Sequence, residues 1–364
     1  MIKKLIIISF LTAMLVINLQ SQTQKTGKIS GISSYSEFES VMPPVRYKGN
    51  PIMKHGGWAG GQIQEPCIMV NPKDSSKLIM FYAGMNLIAV DGGHGAISKA
   101  WAYKSNPYIW HEYPGNPILS PDTAIPFEEF CIRLDCILYN ADNDEYWIYY
   151  TGRTPSGIDA IGLASCSAGS DGYTRVTKEN IKKYSGNPIL TATGQGRDDG
   201  THVSQSAILI DNGIYYMYYS YRGAEVLPGI RYATSKNGKI WVKRGDGDLL
   251  SRGPEGSVDS RYFEWKQVFR AFNKNIMIWE AFSGKEWAVC MASSDSPVGP
   301  WTKSQKNPIF RPSGVEGTFD KLFVATPAIY LINRKWYLYF QGASDGGNYN
   351  YNTWDMGAAE LITH

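Results

Sequence analysis

Three acidic side chains stand where apolar strands begin in separate parts of the chain: Glu65, Asp135 and Glu264. A carboxylate that leads into an apolar strand is costly unless it is paired or solvated, so three such placements indicate a shared polar site. Two carboxylates that face each other across a pocket suit glycosidic bond hydrolysis, in which one protonates the leaving oxygen and the other activates water. A separation of ~6.5–9.5 Å would indicate inversion, and one of ~5–5.5 Å retention.

A repeat divides the chain into similar units that could bring these residues together. Asn-Pro-Ile segments begin at Asn50, Asn116, Asn187 and Asn307, and a degenerate copy near Asp248 lies between the last two. An aromatic strand recurs once per unit, at residues 79–84, 147–152, 216–220, 276–280 and 337–342. Periods of about 60 residues made of short strands predict a propeller with one blade per period. The expected fold is therefore all-β, a single-domain five-bladed β-propeller.

The order of the segments predicts how the ring closes. The first Asn-Pro-Ile copy precedes every aromatic strand, so the segment near Gly49 should complete the last blade. Closing the ring with this N-terminal strand would remove an exposed sheet edge. The propeller is accordingly placed at residues 45–364, after a linker at residues 22–44.

The N-terminus has the pattern of a signal peptide, which we place at residues 1–21. Lys3 and Lys4 precede an apolar run of about 15 residues that ends at the polar Gln20. Because later segments are too short to span a bilayer, we expect no membrane partner, and the mature protein should be secreted or periplasmic. The net charge of +3 is too small to indicate binding to nucleic acid.

The first strands of the blades should converge at one face of the central channel. Aligning them by their turns matches Pro66, Cys136, Gln205, Gln267 and Pro327, which follow Glu65, Asp135, Ser204, Lys266 and Thr326. Glu65 and Glu264 should then face each other across the pocket, with Gln205 and Lys266 beside them as candidate substrate ligands. Asp135 would hold a sugar hydroxyl or raise the pKa of the acid by like-charge repulsion.

Further residues are candidates for the pocket rim. Arg153 and Arg222 end the second strands of two blades, and antiparallel geometry returns those ends to the pocket face. Arg133 and Arg270 would add to a basic rim, which favours an anionic sugar, although inter-blade salt bridges are the alternative. The remaining candidates for substrate contact are His202, Trp58 and Trp354.

Other polar residues have plainer interpretations. His202 serves equally well as a structural histidine, and the lack of close metal-ligand spacing predicts no catalytic metal. Asp259 and Asp320 occupy matching turns and should cap them. Glu280 is a reserve acid, one strand behind the pocket.

The motifs around the acids resemble those of the five-bladed glycoside hydrolases of family 43, over the chain from Gly49 to Leu361. The segments at 64–66, 133–136 and 263–265 resemble that family's base, modulator and acid motifs. The resemblance implies that Glu65 is the base, Asp135 the pKa modulator and Glu264 the acid. It also implies that no cofactor is required, and that Ca²⁺ or another structural cation could lie in the central channel, held through water by His202. The chain departs from the family in having Glu65 where an Asp is usual and Asp135 on the second blade instead of the third.

The leading hypothesis is an exo-acting, inverting glycosidase that acts on plant or algal oligosaccharides or polysaccharides. One alternative is a phosphorylase similar to family 130, in which arginines bind phosphate in place of the activated water. The other is a non-catalytic carbohydrate-binding propeller.

Overall fold

A computed structural model describes residues 32–86, 94–195, 199–223, 228–344 and 354–362. Within these ranges the chain is all-β, with twenty strands, a short helix α1 (Tyr35–Ser40) and a 3₁₀ turn (Pro126–Glu128). None of the helical segments in the described part is long and apolar enough to span a bilayer. The predicted signal peptide lies outside the described residues.

The strands form five antiparallel units, each with four strands. Unit one contains β2 (Gln62–Asn71), β3 (Asp74–Asn86), β4 (His94–Tyr103) and β5 (His111–Glu112). Unit two contains β6 (Cys131–Asn140), β7 (Glu145–Arg153), β8 (Asp159–Ser167) and β9 (Lys182–Lys183). Unit three contains β10 (His202–Asp211), β11 (Ile214–Arg222), β12 (Gly229–Ser235) and β13 (Val242–Arg244). Unit four contains β14 (Tyr262–Ala271), β15 (Lys274–Phe282), β16 (Trp287–Ser294) and β17 (Thr302–Lys303). Unit five contains β18 (Phe323–Ile332), β19 (Lys335–Ala343), β20 (Asp355–Leu361) and, from the N-terminus, β1 (Val45–Arg46).

The connectivity follows from the hydrogen-bond register. In each unit the strands pair in sequence order, except that β1 is the outer strand of unit five and pairs with β20 through Val45 and Glu360. The N-terminal segment therefore completes the last unit. The first strands contact each other in cyclic order, β2 with β6, β6 with β10, β10 with β14, β14 with β18, and β18 with β2. A parallel pair between His202 and Asp159 joins units two and three into one hydrogen-bonded sheet, and the described sheets do not close individually.

The Asn of each Asn-Pro-Ile segment clamps the outer edge of its unit. Asn116 accepts a hydrogen bond from the backbone N–H of Lys99 and donates one to the carbonyl of the same residue. Asn187 makes the same pair of bonds to Leu163, Asn307 to Met291 and Asn50 to Ala358. The side chain thus substitutes for a strand neighbour, and this explains why the tetrapeptide recurs in four of the five units.

A second repeated contact anchors the loop that leads into each of the last four units. A carboxylate in the loop pairs with a basic residue of the outer strand of the same unit: Glu128 with Lys183, Asp199 with Lys243 (2.8 Å), Asp259 with Lys303 (2.5 Å) and Asp320 with Arg46 (2.6 Å). Each lysine also donates to a loop carbonyl, of Ser120, Ala192 or Ser251. Asp259 and Asp320, expected to cap turns, thus each form an ion pair with a basic residue of the outer strand.

The core lies between neighbouring units. Phe81 and Ile97 of unit one pack in one cluster with Ile132 and Tyr146 of unit two, and every one of these side chains is buried. Because both faces of a unit are covered in this way, the aromatic strands are continuously apolar instead of alternating.

The N-terminal segment before β1 also packs against this core. Phe38 of α1 is fully buried against Phe269 and Trp336, so the described part of the predicted linker packs onto units four and five.

The loop anchors predict a large loss of stability when one partner is removed. Lys183→Met leaves the fully buried Glu128 with the Tyr150 hydroxyl as a remaining partner, and an uncompensated buried charge costs about 3–5 kcal/mol. Urea denaturation should show a loss in that range. The matched control is Lys274→Met, whose partner Asp295 is 82% exposed, and it should cost at most about 1 kcal/mol. Equal losses in the two variants would contradict this assignment.

Candidate active site

A β-bulge interrupts each first strand at the same height. The register shifts between Gln64 and Cys67 in β2, between Leu134 and Cys136 in β6, and at the matching places in β10, β14 and β18. Glu65, Gln205 and Thr326 adopt positive φ angles of 60°, 51° and 44° there, a left-handed conformation that is uncommon outside glycine. Such bulges re-aim side chains and are frequent beside active sites.

The residues that pair with one matching position of the second strands define the equivalent positions in the five units. They are Cys67, Cys136, Ala207, Gln267 and Ala328, opposite Phe81, Tyr149, Tyr218, Ile278 and Tyr339. Asp135 comes directly before this position, whereas Glu65 lies two residues before it. The expected equivalence of Glu65 and Asp135 is therefore wrong by one residue. We name the three residues that precede these equivalent positions the first, second and third bulge residues.

The bulges separate two cavities. The larger one, of about 420 Å³, has first and second bulge residues in its lining. The smaller one, of about 40 Å³, has the third bulge residues Pro66, Asp135 and Lys266 in its lining, together with the second bulge residue Trp265. The first and second bulge residues in the larger cavity are Gln64, Glu65, Arg133, Gln205, Glu264, Ala325 and Thr326. Arg153, Arg222 and Trp354, also expected at the pocket, line this cavity too.

Glu65 lies at the bottom of the larger cavity. It is 1% exposed, and its Oε2 has no hydrogen-bond partner. Burial raises the pKa of Glu65 well above its ordinary value, the Arg133 guanidinium opposes this, and the carboxylates of Asp135 and Glu280 add to it. Burial therefore favours the protonated form of Glu65, which is the form that donates a proton.

Glu264 is the half-buried carboxylate of the same cavity. Its Oε2 accepts a long hydrogen bond of 3.4 Å from Nε2 of Gln205, and its backbone carbonyl accepts one from the Ser220 hydroxyl. Arg133 lies close to both acids: burial alone would lower the pKa of this guanidinium, but the charges of Glu65, Asp159 and Glu264 raise it. Glu65 and Glu264 thus share one pocket in different surroundings.

Glu280 lies in the wall of the cavity, not behind it. Its Oε1 accepts from the backbone N–H of Trp265 (3.2 Å) and its Oε2 from that of Thr326 (2.7 Å), the second bulge residues of units four and five. Burial and the Glu264 carboxylate raise the pKa of Glu280 to about 7. The sequence contained a signal for this role, because Glu280 is the acidic residue of an otherwise apolar strand and stands where Thr151 occurs in unit two.

Asp135 lies at the smaller cavity and does not line the larger one. Its Oδ1 accepts from the Thr151 hydroxyl (2.7 Å), and its Oδ2 accepts from the backbone N–H (2.8 Å) and hydroxyl (2.7 Å) of Ser206. Asp135 lines the smaller cavity, so the structure does not place it where it was expected to hold a sugar hydroxyl in the larger one. Burial raises the pKa of Asp135, against the opposing effects of Ser206, Thr151 and Lys266.

Lys266 is the third bulge residue of unit four and also lies at the smaller cavity. Its Nζ donates to the carbonyl of Gln205 at 2.5 Å. Burial lowers the pKa of Lys266 to about 7, although the carboxylates of Asp135 and Glu280 oppose this. Lys266 is accordingly not placed to contact a ligand in the larger cavity.

Three other candidates also lie outside the cavity lining. Arg270 pairs with Asp211 at the opposite end of β14, and six residues of strand place it roughly 20 Å from Glu264. Trp58 packs over Gly84, where an added Cβ would come within 2.5 Å of the indole. His202 contacts Thr201 through Nδ1 (2.6 Å), and burial lowers its pKa, while Asp159 opposes this.

The surroundings of His202 do not favour a bound cation. The positive charges of Arg153 and Arg222 lie close enough to affect the pKa of the imidazole. Among the described residues, no group of three or more His, Cys, Asp or Glu side chains could hold a metal ion.

Solved structures with a similar fold are known. No family model and no curated protein matches the chain. One solved structure, a glycoside hydrolase, is 15% identical to this chain and superposes on it with a TM-score of 0.69. The alignment covers 90% of this chain and 94% of the glycoside hydrolase. A structure from the GH130 family of mannoside phosphorylases, which contains glycoside hydrolases that target β-1,2 mannosidic linkages in Candida mannan, is 16% identical (87% and 93% covered, TM-score 0.62). An N-acetylgalactosamine deacetylase from F. plautii, in complex with blood group B trisaccharide, is 13% identical (88% and 94% covered, TM-score 0.59). At these identities the likeness shows the fold.

The raised pKa of Glu280 predicts how stability depends on pH. Between pH 4.5 and 7 the folded protein holds a proton on Glu280 that the unfolded chain releases, so stability falls as the pH rises through this window. Relative to Glu280→Gln, the wild type should lose unfolding free energy by on the order of 1 kcal/mol per pH unit. Urea denaturation at several pH values measures this difference. The exposed Glu129→Gln is the control, and parallel pH profiles for wild type and Glu280→Gln would contradict the prediction.

Proposed function

We propose that this chain is an exported glycoside hydrolase built as a five-bladed β-propeller. Support for the architecture comes from the cyclic order in which β2, β6, β10, β14 and β18 contact each other, and from the completion of unit five by β1. The glycoside hydrolase structures of similar fold are consistent with it. Export rests on the signal peptide pattern of residues 1–21.

The observation that carries the proposal is that Glu65 and Glu264 line one cavity of about 420 Å³ in contrasting environments. Glycoside hydrolysis needs one carboxyl that is protonated and one carboxylate, and different surroundings provide this difference in one site. We assign Glu65 as the general acid, because it is buried with an unpaired oxygen and a raised pKa. Glu264 is then the general base that activates water, which reverses the roles that the resemblance to family 43 implies.

The shape of the site supports the mode of action. All five units contribute to the cavity wall, including Gln64, Arg133, Gln205, Glu264 and Thr326. A pocket walled by all five units admits the end of a sugar chain and not its middle, so the proposed enzyme is exo-acting. We propose inversion, because the two acids stand on non-adjacent units. The proposed chemistry uses water and the side chains of this chain, without a cofactor.

Phosphorolysis is the second candidate, and the presence of Arg133, Arg153 and Arg222 in the same cavity favours it. In that reaction phosphate would replace the water that Glu264 activates. Phosphate-dependent turnover distinguishes it from hydrolysis. A non-catalytic carbohydrate-binding propeller would bind sugars without turning them over.

The acid and base assignments predict different responses to the leaving group. Glu65→Gln should slow hydrolysis of natural oligosaccharides by ~100-fold or more, yet act far better on dinitrophenyl glycosides, whose leaving oxygen needs no protonation. Glu264→Gln should lose ~100-fold or more on both substrate types, and added azide should restore turnover by replacing the activated water. The measurements are steady-state kinetics over an aryl glycoside panel with Glu129→Gln as control, with and without phosphate, and ¹H NMR of the first-formed anomer. Glu264→Gln with wild-type turnover would refute the base assignment.

A further inference from the structure

Three arginines form one wall of the larger cavity, which we call the arginine wall: Arg133, Arg153 and Arg222. Arg153 and Arg222 end the second strands of units two and three, where they pair with the starts of β6 and β10. The corresponding strand ends in the other units carry the neutral residues Met85, Phe282 and Ala343. The positive charge is therefore confined to one side of a frame that is otherwise repeated.

A buried carboxylate fixes the orientation of this wall. Asp159 is fully buried and accepts hydrogen bonds from Nε (2.6 Å) and Nη2 (2.8 Å) of Arg153, while Nη2 of Arg222 lies 3.9 Å from its Oδ2. Burial alone would raise the pKa of Asp159, but the bonds from Arg153 and the charge of Arg133 outweigh it and lower the pKa. Asp159 is thus ionised, and it compensates one of the three guanidinium charges. The remaining N–H groups of the paired arginines are pre-oriented donors for an oxyanion.

The facing wall has a different chemistry. Gln64, Thr326 and Trp354 line it, and Nε2 of Gln64, Oγ1 of Thr326 and Nε1 of Trp354 are buried without a hydrogen-bond partner. Such neutral groups suit the hydroxyls of a sugar ring, because a buried polar atom is costly until a ligand completes its bonds. The two walls would therefore orient a ring that is neutral on one side and anionic on the other.

We infer that the arginine wall binds the carboxylate of a terminal uronic acid while the facing wall binds the hydroxyls of the same ring. This inference rests on the proposed function and specifies its substrate class. A sugar carboxylate fits better than inorganic phosphate because the side chains of Arg153 and Arg222 are 28% and 37% exposed, whereas Glu65 is 1% exposed. The arginines therefore reach a substituent at the outer part of the ring. A phosphate nucleophile would have to lie at the reacting carbon, beside Glu65, Glu264 and Glu280.

Binding to a variant without turnover tests the inference independently of hydrolysis. Calorimetry with Glu264→Gln should use both anomers of methyl galacturonide, glucuronide, mannuronide and guluronide, their neutral 6-hydroxymethyl counterparts, and inorganic phosphate. We expect at least one uronide to bind ten-fold or more tightly than its neutral counterpart. Arg222→Gln in the same background should remove this preference without weakening the neutral sugar.

Arg270→Gln is the matched control, because its side chain is 38% exposed and paired with an aspartate but lies outside the cavity. It should leave the uronide preference unchanged. Arg222→Lys, which retains charge without the planar fork, should recover part of the preference if the first variant folds poorly. Equal binding of acidic and neutral sugars, an unchanged preference in Arg222→Gln, phosphate binding that competes with the uronide at similar affinity, or no uronide binding at all would each overturn the inference. Loss of hydrolysis alone would leave the binding result standing.

Discussion

The structure depends on one backbone irregularity repeated five times, the β-bulge in each first strand. Most first and second bulge residues line the larger cavity, whereas the third bulge residues Pro66, Asp135 and Lys266 line the smaller one, so the bulge decides which side chains line each cavity. Polar residues of the second strands hold the bulges in place and join neighbouring units. Thr151 bonds Asp135 of its own unit and the backbone N–H of Gln205 in the next, and Glu280 does the same with the N–H groups of Trp265 and Thr326. The contacts that shape the pocket are therefore also contacts that join the units.

This arrangement concentrates costly groups in a small volume. Glu65, Asp135, Lys266 and Glu280 are all nearly fully buried, and for each of them burial shifts the pKa toward the neutral form. Strained backbone at Glu65 adds to this cost, and such strain persists where the surrounding structure enforces it. Elsewhere the frame is regular: the asparagine clamps and the loop ion pairs recur from unit to unit and stabilise it. The stability that the regular outer parts provide thus offsets the free-energy cost of a polar and strained centre.

The sequence predicts the arrangement of the strands in units more clearly than it predicts which side chains line the cavity. The all-β architecture and the unit boundaries follow from Asn-Pro-Ile segments and aromatic strands, because the aromatic strand recurs in the core of every unit and the Asn-Pro-Ile segment at the outer edge of four units. The placement of Asp135 could not be derived, since a bulge adds one residue to the strand and a shift of one residue reverses the direction of a side chain. Arg270 was misplaced for another reason: Arg222 ends a strand at the pocket, whereas Arg270 ends one at the opposite face, and only strand direction separates them. The sequence alone does not predict the place of Glu280 in the cavity wall, because side chains within a second strand usually belong to the core.

A repeated frame makes the departures from the repeat informative. Thr151, Ser220, Glu280 and Gln341 occupy one place in four units, and the hydroxyls and the carboxylate there hold neighbouring bulges by different chemistry. The strand ends Met85, Arg153, Arg222, Phe282 and Ala343 are equally matched in position, yet two of them are cationic and adjacent. Packing alone would not select two arginines over the apolar residues that the other units tolerate at this place. Asp159 serves both arginines, and both line the larger cavity, so the asymmetry of charge would give a ligand bound there a single orientation within the repeated frame.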